Sequence, residues 1–271
     1  MRLSISNIAW DLSEEEAIAA WLAAAGVDRV DISPGKYFPN PDTATAGEIN
    51  AVRRLWEGRG FAIEGMQALL FGMSGLNLFA DPDGIMLRRL KAVCRIGGGV
   101  GARALTFGSP GQRDRQGLDD ATALRIALEF LRRLGDAAAD AGVIVCLEPN
   151  PAVYNCNFMV TTAEAAAVVE AVDHPAIRLQ IDVGALALNA EPVAETIARF
   201  GPLAGHVHAS EPLLKTLGDG DSSHTEAARA LAASRPDLAV TIEMAASVNE
   251  SHADAVARAV KLAQQTYGAA G

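Results

Sequence analysis

Eight short β-rich runs alternate with longer Ala-rich runs along this chain, and no other feature restricts its fold as much. The β-rich runs are "RLSIS" (2–6), "RVDIS" (29–33), "FAIEGM" (61–66), "RALTF" (103–107), "VIVCLE" (143–148), "IRLQID" (177–182), "AGHVH" (204–208) and "AVTIE" (239–243). Their starts lie roughly 25 to 40 residues apart, the size of one βα unit. The runs between them read as helices. Ser13 is expected to cap "SEEEAIAAWLAAAG", and Thr161 or Thr162 the run "TTAEAAAVVEAV". Pro192 falls in the first turn of "EPVAETIARFG", where its missing N–H does no harm. Gly26, Gly58 or Gly60, and Gly142 are expected helix stops, as is the "GGGVG" cluster at 97–101. Eight β runs, each followed by a helix, predict an α/β chain closed into a (β/α)8 barrel, with residues 1–271 as a single domain. A doubly wound sheet is the rival. It is disfavoured because "SISNIAWDL" has no Gly-rich phosphate loop after the first strand.

In such a barrel the chemistry sits where strands end and βα loops begin. The last four runs each end in one metal-binding residue type: Glu148 in "CLEPNP", Asp182 in "LQIDVGAL", His208 in "GHVHASEP" and Glu243 in "TIEMA". Any one of these carboxylates could simply face a lysine, an arginine or a backbone amide. Four at like positions on one barrel face point instead to a shared cation, which offsets the cost of desolvating them. Three carboxylates and one imidazole are a hard, oxygen-rich set. They suit Mn²⁺ or Mg²⁺ better than a thiolate-type zinc centre, with Zn²⁺ and Co²⁺ still open. His206, two residues before His208, points the same way but deeper, and reads as a hydrogen-bonded core or supporting histidine.

Other polar residues on the same face are candidates to hold a substrate. Arg113 and Arg115 in "FGSPGQRDR" suit a phosphate, a carboxylate or hydroxyls, or else pair with Asp114 or a neighbour. Lys36 after the second strand reads either way, as does each of Asn7 and Gln67, which end the first and third. Asn150 and Tyr154 follow Glu148 closely. Glu211 orients His208, contacts substrate or caps the next segment. Trp10, Tyr37, Phe71 and Phe107 form an apolar wall or finish the core beneath the loops. His224 reads as a helix-start residue and Cys156 as a small packed one. "LNLFADP" (76–82) covers the mouth, forms a subunit contact or is ordinary loop packing.

Charge and cysteines narrow the partners. Acidic residues outnumber basic ones by 33 to 23, giving −10, which argues against a nucleic-acid backbone as partner. Three scattered cysteines without a CxxC fit a reducing compartment. "MRLSISNIAWDLSEEE" has no apolar signal core, and no apolar run is long enough to span a bilayer. The expectation is a cytoplasmic protein with a small-molecule partner and neither nucleic acid nor membrane.

The order "LEPNP", "IDVGAL", "GHVHASEP", "IEMA" resembles the sugar phosphate isomerase/epimerase family, the xylose-isomerase-like TIM barrels that include ketose 3-epimerases, inosose dehydratases and endonuclease IV. The resemblance implies a metal-dependent sugar isomerase or epimerase acting on a keto-sugar or polyol derivative. Glu148 and Glu243 would remove and return a proton α to a carbonyl through an enediolate, beside a Lewis-acid metal. It also allows homo-oligomers. Two alternatives stay open: a dehydratase-like lyase using the same bases, and a sugar-binding barrel without turnover. The match departs at Ala185, Tyr154 and Leu214, where ketose 3-epimerases usually carry histidine, glutamate and arginine, so a different substrate is expected. Ala185 and the histidine-free ends of strands 3 and 4 also leave an endonuclease-like trinuclear zinc site without ligands.

Overall fold

A parallel strand cannot turn directly into its neighbour, so each needs a crossover, and a helix is the usual one. The computed structural model describes residues 1–81 and 84–268. Its strands are β1 (Leu3–Ser6), β2 (Arg29–Ile32), β3 (Ala62–Met66), β4 (Ala104–Phe107), β5 (Ile144–Leu147), β6 (Ile177–Asp182), β7 (Ala204–Ser210) and β8 (Val240–Glu243). They pair in chain order, all parallel, and β1 meets β8 to close the barrel. All eight expected strands are present, with β7 running two residues further than the sequence suggested.

The crossovers are α1 (Glu15–Ala24), α2 (Ala46–Gly58), α3 (Ile85–Val100), α4 (Asp120–Asp140), α5 (Thr162–Val172), α6 (Val183–Leu188), α7 (Val193–Phe200), α8 (His224–Ser234) and α9 (His252–Ala263). No helix among the described residues is long and apolar enough to cross a membrane. The start of the run "DPDGIMLRRL" includes residues 82 and 83, which lie outside the described residues, as does the end of "LNLFADP". The rest of that stretch is loop packing: Leu78 is buried, and Phe79 meets Phe158 edge-on at 5.1 Å.

Four local expectations are corrected. Ser13 does not cap α1. It lies inside a 3-10 turn, Leu12–Glu14, that opens at Asp11, whose N–H donates to the Glu14 carboxylate at 3.2 Å. Pro192 is the residue before α7, where its carbonyl accepts from Thr196 N–H at 2.9 Å. The short helix α6 was not expected, because "VGALAL" is too brief to show a helical period. Finally, only the last glycine of "GGGVG" stops α3. Gly97, Gly98 and Gly99 lie within the helix, and the stop is Gly101 at φ +85°. A Cβ on Gly98 would lie 2.2 Å from the Ala141 carbonyl, and one on Gly99 2.5 Å from Ile49. These glycines let neighbouring segments approach.

Alternation along the strands sorts side chains between the barrel interior and the helical layer. Val30 and Ile32, Val207, and Val240 and Ile242 are buried apolar residues that alternate with Asp31, with His206 and His208, and with Thr241. The polar set shares the barrel interior. Asp31 accepts from Ser4 Oγ at 2.9 Å and Thr241 Oγ1 at 3.0 Å, and lies 2.7 Å from His206 Nε2. Room for that carboxylate comes from β3, where Gly65 sits opposite Asp31; a Cβ there would lie 2.6 Å from Asp31 Oδ2.

Candidate active site

The pairing register delivers the last four strands' polar residues to one place. Asp182 on β6 pairs with His208 on β7. Ser210, two residues further along β7, pairs with Glu243 on β8. Glu148 is the first residue beyond β5. One donor atom from each of Glu148, Asp182, His208 and Glu243 lies within 4.8 Å of all the others. His208 Nδ1 is the centre of this group, 3.3 Å from Glu148 Oε1, 3.2 Å from Glu243 Oε2 and 3.9 Å from Asp182 Oδ2.

Each side chain is held from behind. Asp182 caps α6, accepting from Ala185 N–H at 2.5 Å, and its other oxygen accepts from Ser210 Oγ at 2.8 Å. Gly184 permits this, since a Cβ there would sit 2.8 Å from Ser210 Oγ. Glu148 Oε2 accepts from Asn150 Nδ2 at 3.0 Å, and Asn150 Oδ1 in turn accepts from the Arg113 guanidinium. A Cβ on Gly108 would lie 2.3 Å from Glu148 Oε2, so only glycine leaves space for this carboxylate. His206 lies beneath, against Asp31 and Thr241, as expected of a supporting histidine. Asp31 Oδ2 is also 3.9 Å from His208 Nε2.

The electrostatics are those of crowded carboxylates around an imidazole. Burial and the charges of Glu148 and Glu243 push Asp182 up to about 8. Burial opposes charge on His208, but Glu243 and the carboxylates of Asp31 and Glu148 hold its pKa well above the ordinary value. Burial also raises Glu148, yet contact with His208, Asn150 and Arg113 brings it below the ordinary range. Glu148 Oε1 and His208 Nδ1 are nevertheless buried without a hydrogen-bond partner. Unpartnered donor atoms converging from a hard oxygen-and-imidazole set fit a divalent cation.

Glu148 and Glu243 also line a cavity of about 740 Å³ at the C-terminal mouth. Among the residues singled out in the sequence, Gln67 and Lys36 line it too. Gln67 Nε2 donates to Ser6 Oγ and its Oε1 has no partner. Lys36 Nζ donates to the carbonyls of Asn7 at 2.6 Å and Trp10 at 2.5 Å. Tyr154 is half-buried near Asp182 and Glu243, and its hydroxyl accepts from Leu213 N–H at 2.9 Å.

Other residues are not brought to the cavity. Asn7 accepts from Ser33 N–H at 2.8 Å and donates to Tyr37 Oη at 3.0 Å, joining the first two βα loops. Arg115 pairs with Asp120 at the surface. Glu211 accepts from Gly218 and Ser222 N–H and lies 3.1 Å from His224 Nε2, so it folds the loop between β7 and α8. Those bonds outweigh burial and hold it at about 2. Arg113 is fully buried, its guanidinium 5.9 Å from the Phe107 ring. It also lies near Cys156, as a basic neighbour not evident in the sequence. Of the expected aromatic wall, Trp10 and Phe71 line the cavity, whereas Tyr37 is tied to Glu15 and Phe107 is core.

Sequence reasoning missed Asp31, Ser210 and Thr106, the last of which lines the cavity and donates to Gln180 Oε1 at 3.2 Å. Asp31 had a signal: an acid in the middle of an apolar strand, at the position that alternation turns inward. Ser210 and Thr106 carried none.

Three comparisons place this geometry among known proteins. Among curated protein sequences none matches. Solved structures match in fold: a D-psicose 3-epimerase crystallised with D-fructose has TM-score 0.81 at 16% identity, covering 99% of this chain and 100% of that one. An L-ribulose 3-epimerase has 0.78 at 17%, covering 99% and 95%. A 3-keto-D-glucoside 4-epimerase from E. coli has 0.76 at 16%, covering 96% and 99%. The profile of the family described as "Xylose isomerase-like TIM barrel" matches residues 19–265. Read together with eight parallel strands closed in chain order, that match means the chain belongs to the xylose isomerase-like TIM barrel family.

Proposed function

We propose that this protein is a divalent-metal-dependent isomerase or epimerase of a keto-sugar or related polyol derivative. The observation that carries the reading is the convergence of Glu148, Asp182, His208 Nδ1 and Glu243 within 4.8 Å, with Glu148 and Glu243 lining the mouth cavity. The sugar epimerases among the structures it matches in fold support a sugar as substrate. Three buried, unbridged cysteines support a reducing compartment such as the cytoplasm.

The four residues would hold the cation, with Mn²⁺ the first choice and Mg²⁺, Co²⁺ or Zn²⁺ as alternatives. When bound, such an ion supplies Lewis-acid polarisation of a substrate carbonyl. Glu148, whose carboxyl stays ionised at neutral pH, is suited to take the proton α to that carbonyl. Glu243 comes from the other side of the group, off β8, and is suited to deliver a proton to the opposite face. Asn150 and Arg113 keep Glu148 aimed at the cavity, and Ser210 with Ala185 N–H keeps Asp182 fixed.

Incorporation of solvent deuterium, read by mass spectrometry over keto-sugars, inososes and 3-keto-glycosides with Mn²⁺ present, tests this. The expected result is one labelled carbon with no change of product mass beyond the label. Loss of water would assign a lyase instead. Full exchange by both Glu148→Gln and Glu243→Gln would remove the proton-transfer roles.

A further inference from the structure

Of the four clustered donors, Glu148 and Glu243 line one side of the cavity. The loops after β1, β2, β3 and β7 add apolar lining, Ile8, Trp10, Pro39, Phe71, Met73 and Leu214, which outweighs the polar Asp11, Ser33, Lys36 and Gln67 beside it. Phe71 is 82% exposed, a large aromatic standing at the lip with nothing packed over it. The backbone is bent to place these groups. Ala68, which opens the turn carrying Phe71, has φ +53°, and Leu213 and Leu214 are consecutive leucines at φ +62° and +52°. Non-glycine residues in this region are strained, and such strain gathers at ligand-holding sites. It is locked in by Phe71 N–H to Ala68 carbonyl at 3.0 Å, Leu214 N–H to Glu211 carbonyl at 3.0 Å, and Ala245 N–H to Leu214 carbonyl at 2.9 Å.

Volume and charge limit what fits. A half-open cavity of about 740 Å³ has room for more than a free hexose. Among the described residues that line it, Lys36 is the only cation, and two of its donors already serve the Asn7 and Trp10 carbonyls. That is poor provision for a phosphate. We infer that the substrate is a keto-glycoside with an aromatic or otherwise apolar aglycone. The sugar sits over Glu148 and Glu243, and the aglycone lies along Phe71, Met73 and Leu214, with the buried Trp10 beneath. This deepens the proposed sugar chemistry and rests on it for the orientation of the sugar.

The test separates the two. Calorimetry on the Mn²⁺-loaded protein compares phenyl β-D-glucoside with methyl β-D-glucoside, which share a sugar and cannot react. The phenyl compound is expected to bind about tenfold more tightly, the worth of a favourable aromatic contact. Phe71→Ala should erase most of that ratio, and Phe71→Leu, which keeps an apolar surface, should retain part of it; because Phe71 is exposed, neither change disturbs the core. Equal affinity for the two glucosides overturns the inference. Deuterium exchange with phenyl 3-keto-β-D-glucoside and with D-fructose is run in parallel. If D-fructose exchanges and the phenyl preference is absent, the aglycone site falls and the proton-transfer reading stands. If the phenyl preference holds and neither keto-sugar exchanges, the apolar wall stands and the proton-transfer reading falls.

Discussion

The two halves of the barrel mouth are built from the same βα unit and differ in nearly everything else. The β5 to β8 half ends in Glu148, Asp182, His208 and Glu243, all within reach of one another, with Glu148 and Asp182 braced by neighbouring polar groups. Apart from Leu214, the apolar wall belongs to the β1 to β4 half, and the loop after β3 that carries Phe71 turns through the strained Ala68. Strand ends are rigid and in register, so they suit groups that must meet to within a fraction of an ångström. Loops tolerate change, so they suit recognition of a variable substrate. One residue crosses the divide: Asp31 belongs to β2, yet it lies under both histidines of β7.

The largest expected effect belongs to the acidic half. Glu148→Gln or Glu243→Gln should lower deuterium exchange by about 10² to 10⁴-fold, the usual worth of a general acid or base. Lys36→Met, a change on the other half of the same cavity, should cost no more than about tenfold, in keeping with its two backbone contacts. Equal losses at both places would erase the distinction between the halves.

Asp31→Asn tests the crossing residue. It keeps the shape but removes the charge beside His206 and His208, and should weaken Mn²⁺ binding by about 10 to 100-fold, as loss of a partner behind a metal-binding histidine does. Calorimetry with Mn²⁺ alone reads this without any substrate. Unchanged affinity would confine the site to the last four strands.

Gly98→Ala addresses the helical layer behind the apolar half. The new Cβ meets the Ala141 carbonyl at 2.2 Å, so backbone must shift, at a cost of about 1–3 kcal/mol of stability by chemical denaturation. Mn²⁺ affinity should hold, because α3 carries none of the four donors.

Smallest is the pH effect in the metal-free protein. Asp182 sits at about 8 against an ordinary 3.8, so across that window the folded state holds a proton that the unfolded state has released. Stability from this group therefore falls as pH rises from about 4 toward 8. His208, raised above 6.5, acts in the same sense. Added Mn²⁺ should raise the melting temperature more at about pH 8 than at about pH 6, since less proton must then be displaced. Glu211, at about 2 against 4.5, acts oppositely: its contribution is complete above about 4.5 and is lost as pH falls through 2. Glu211→Gln should flatten the acid limb alone.

The barrel was legible because parallel strands and their crossovers impose a long repeat that every β-rich run obeyed. The four donors were legible because each ends such a run. What could not be read depends on contacts distant in the chain. Gly97, Gly98 and Gly99 resemble a helix stop until Ala141, Leu105 and Ile49 are placed against them. Asn7 and Glu211 look free in sequence, but the loops fold their partners onto them. Phe71 and Leu214 meet across the mouth from residues far apart in the chain, so no local pattern marks the wall they share.

The most direct measurement is anomalous scattering from crystals grown with Mn²⁺. A single strong peak bounded by Glu148, Asp182, His208 Nδ1 and Glu243 is the expected result. A mouth without a peak, or with Mn²⁺ held instead by the Asp11, Glu14 and His252 group at the rim, would contradict the account.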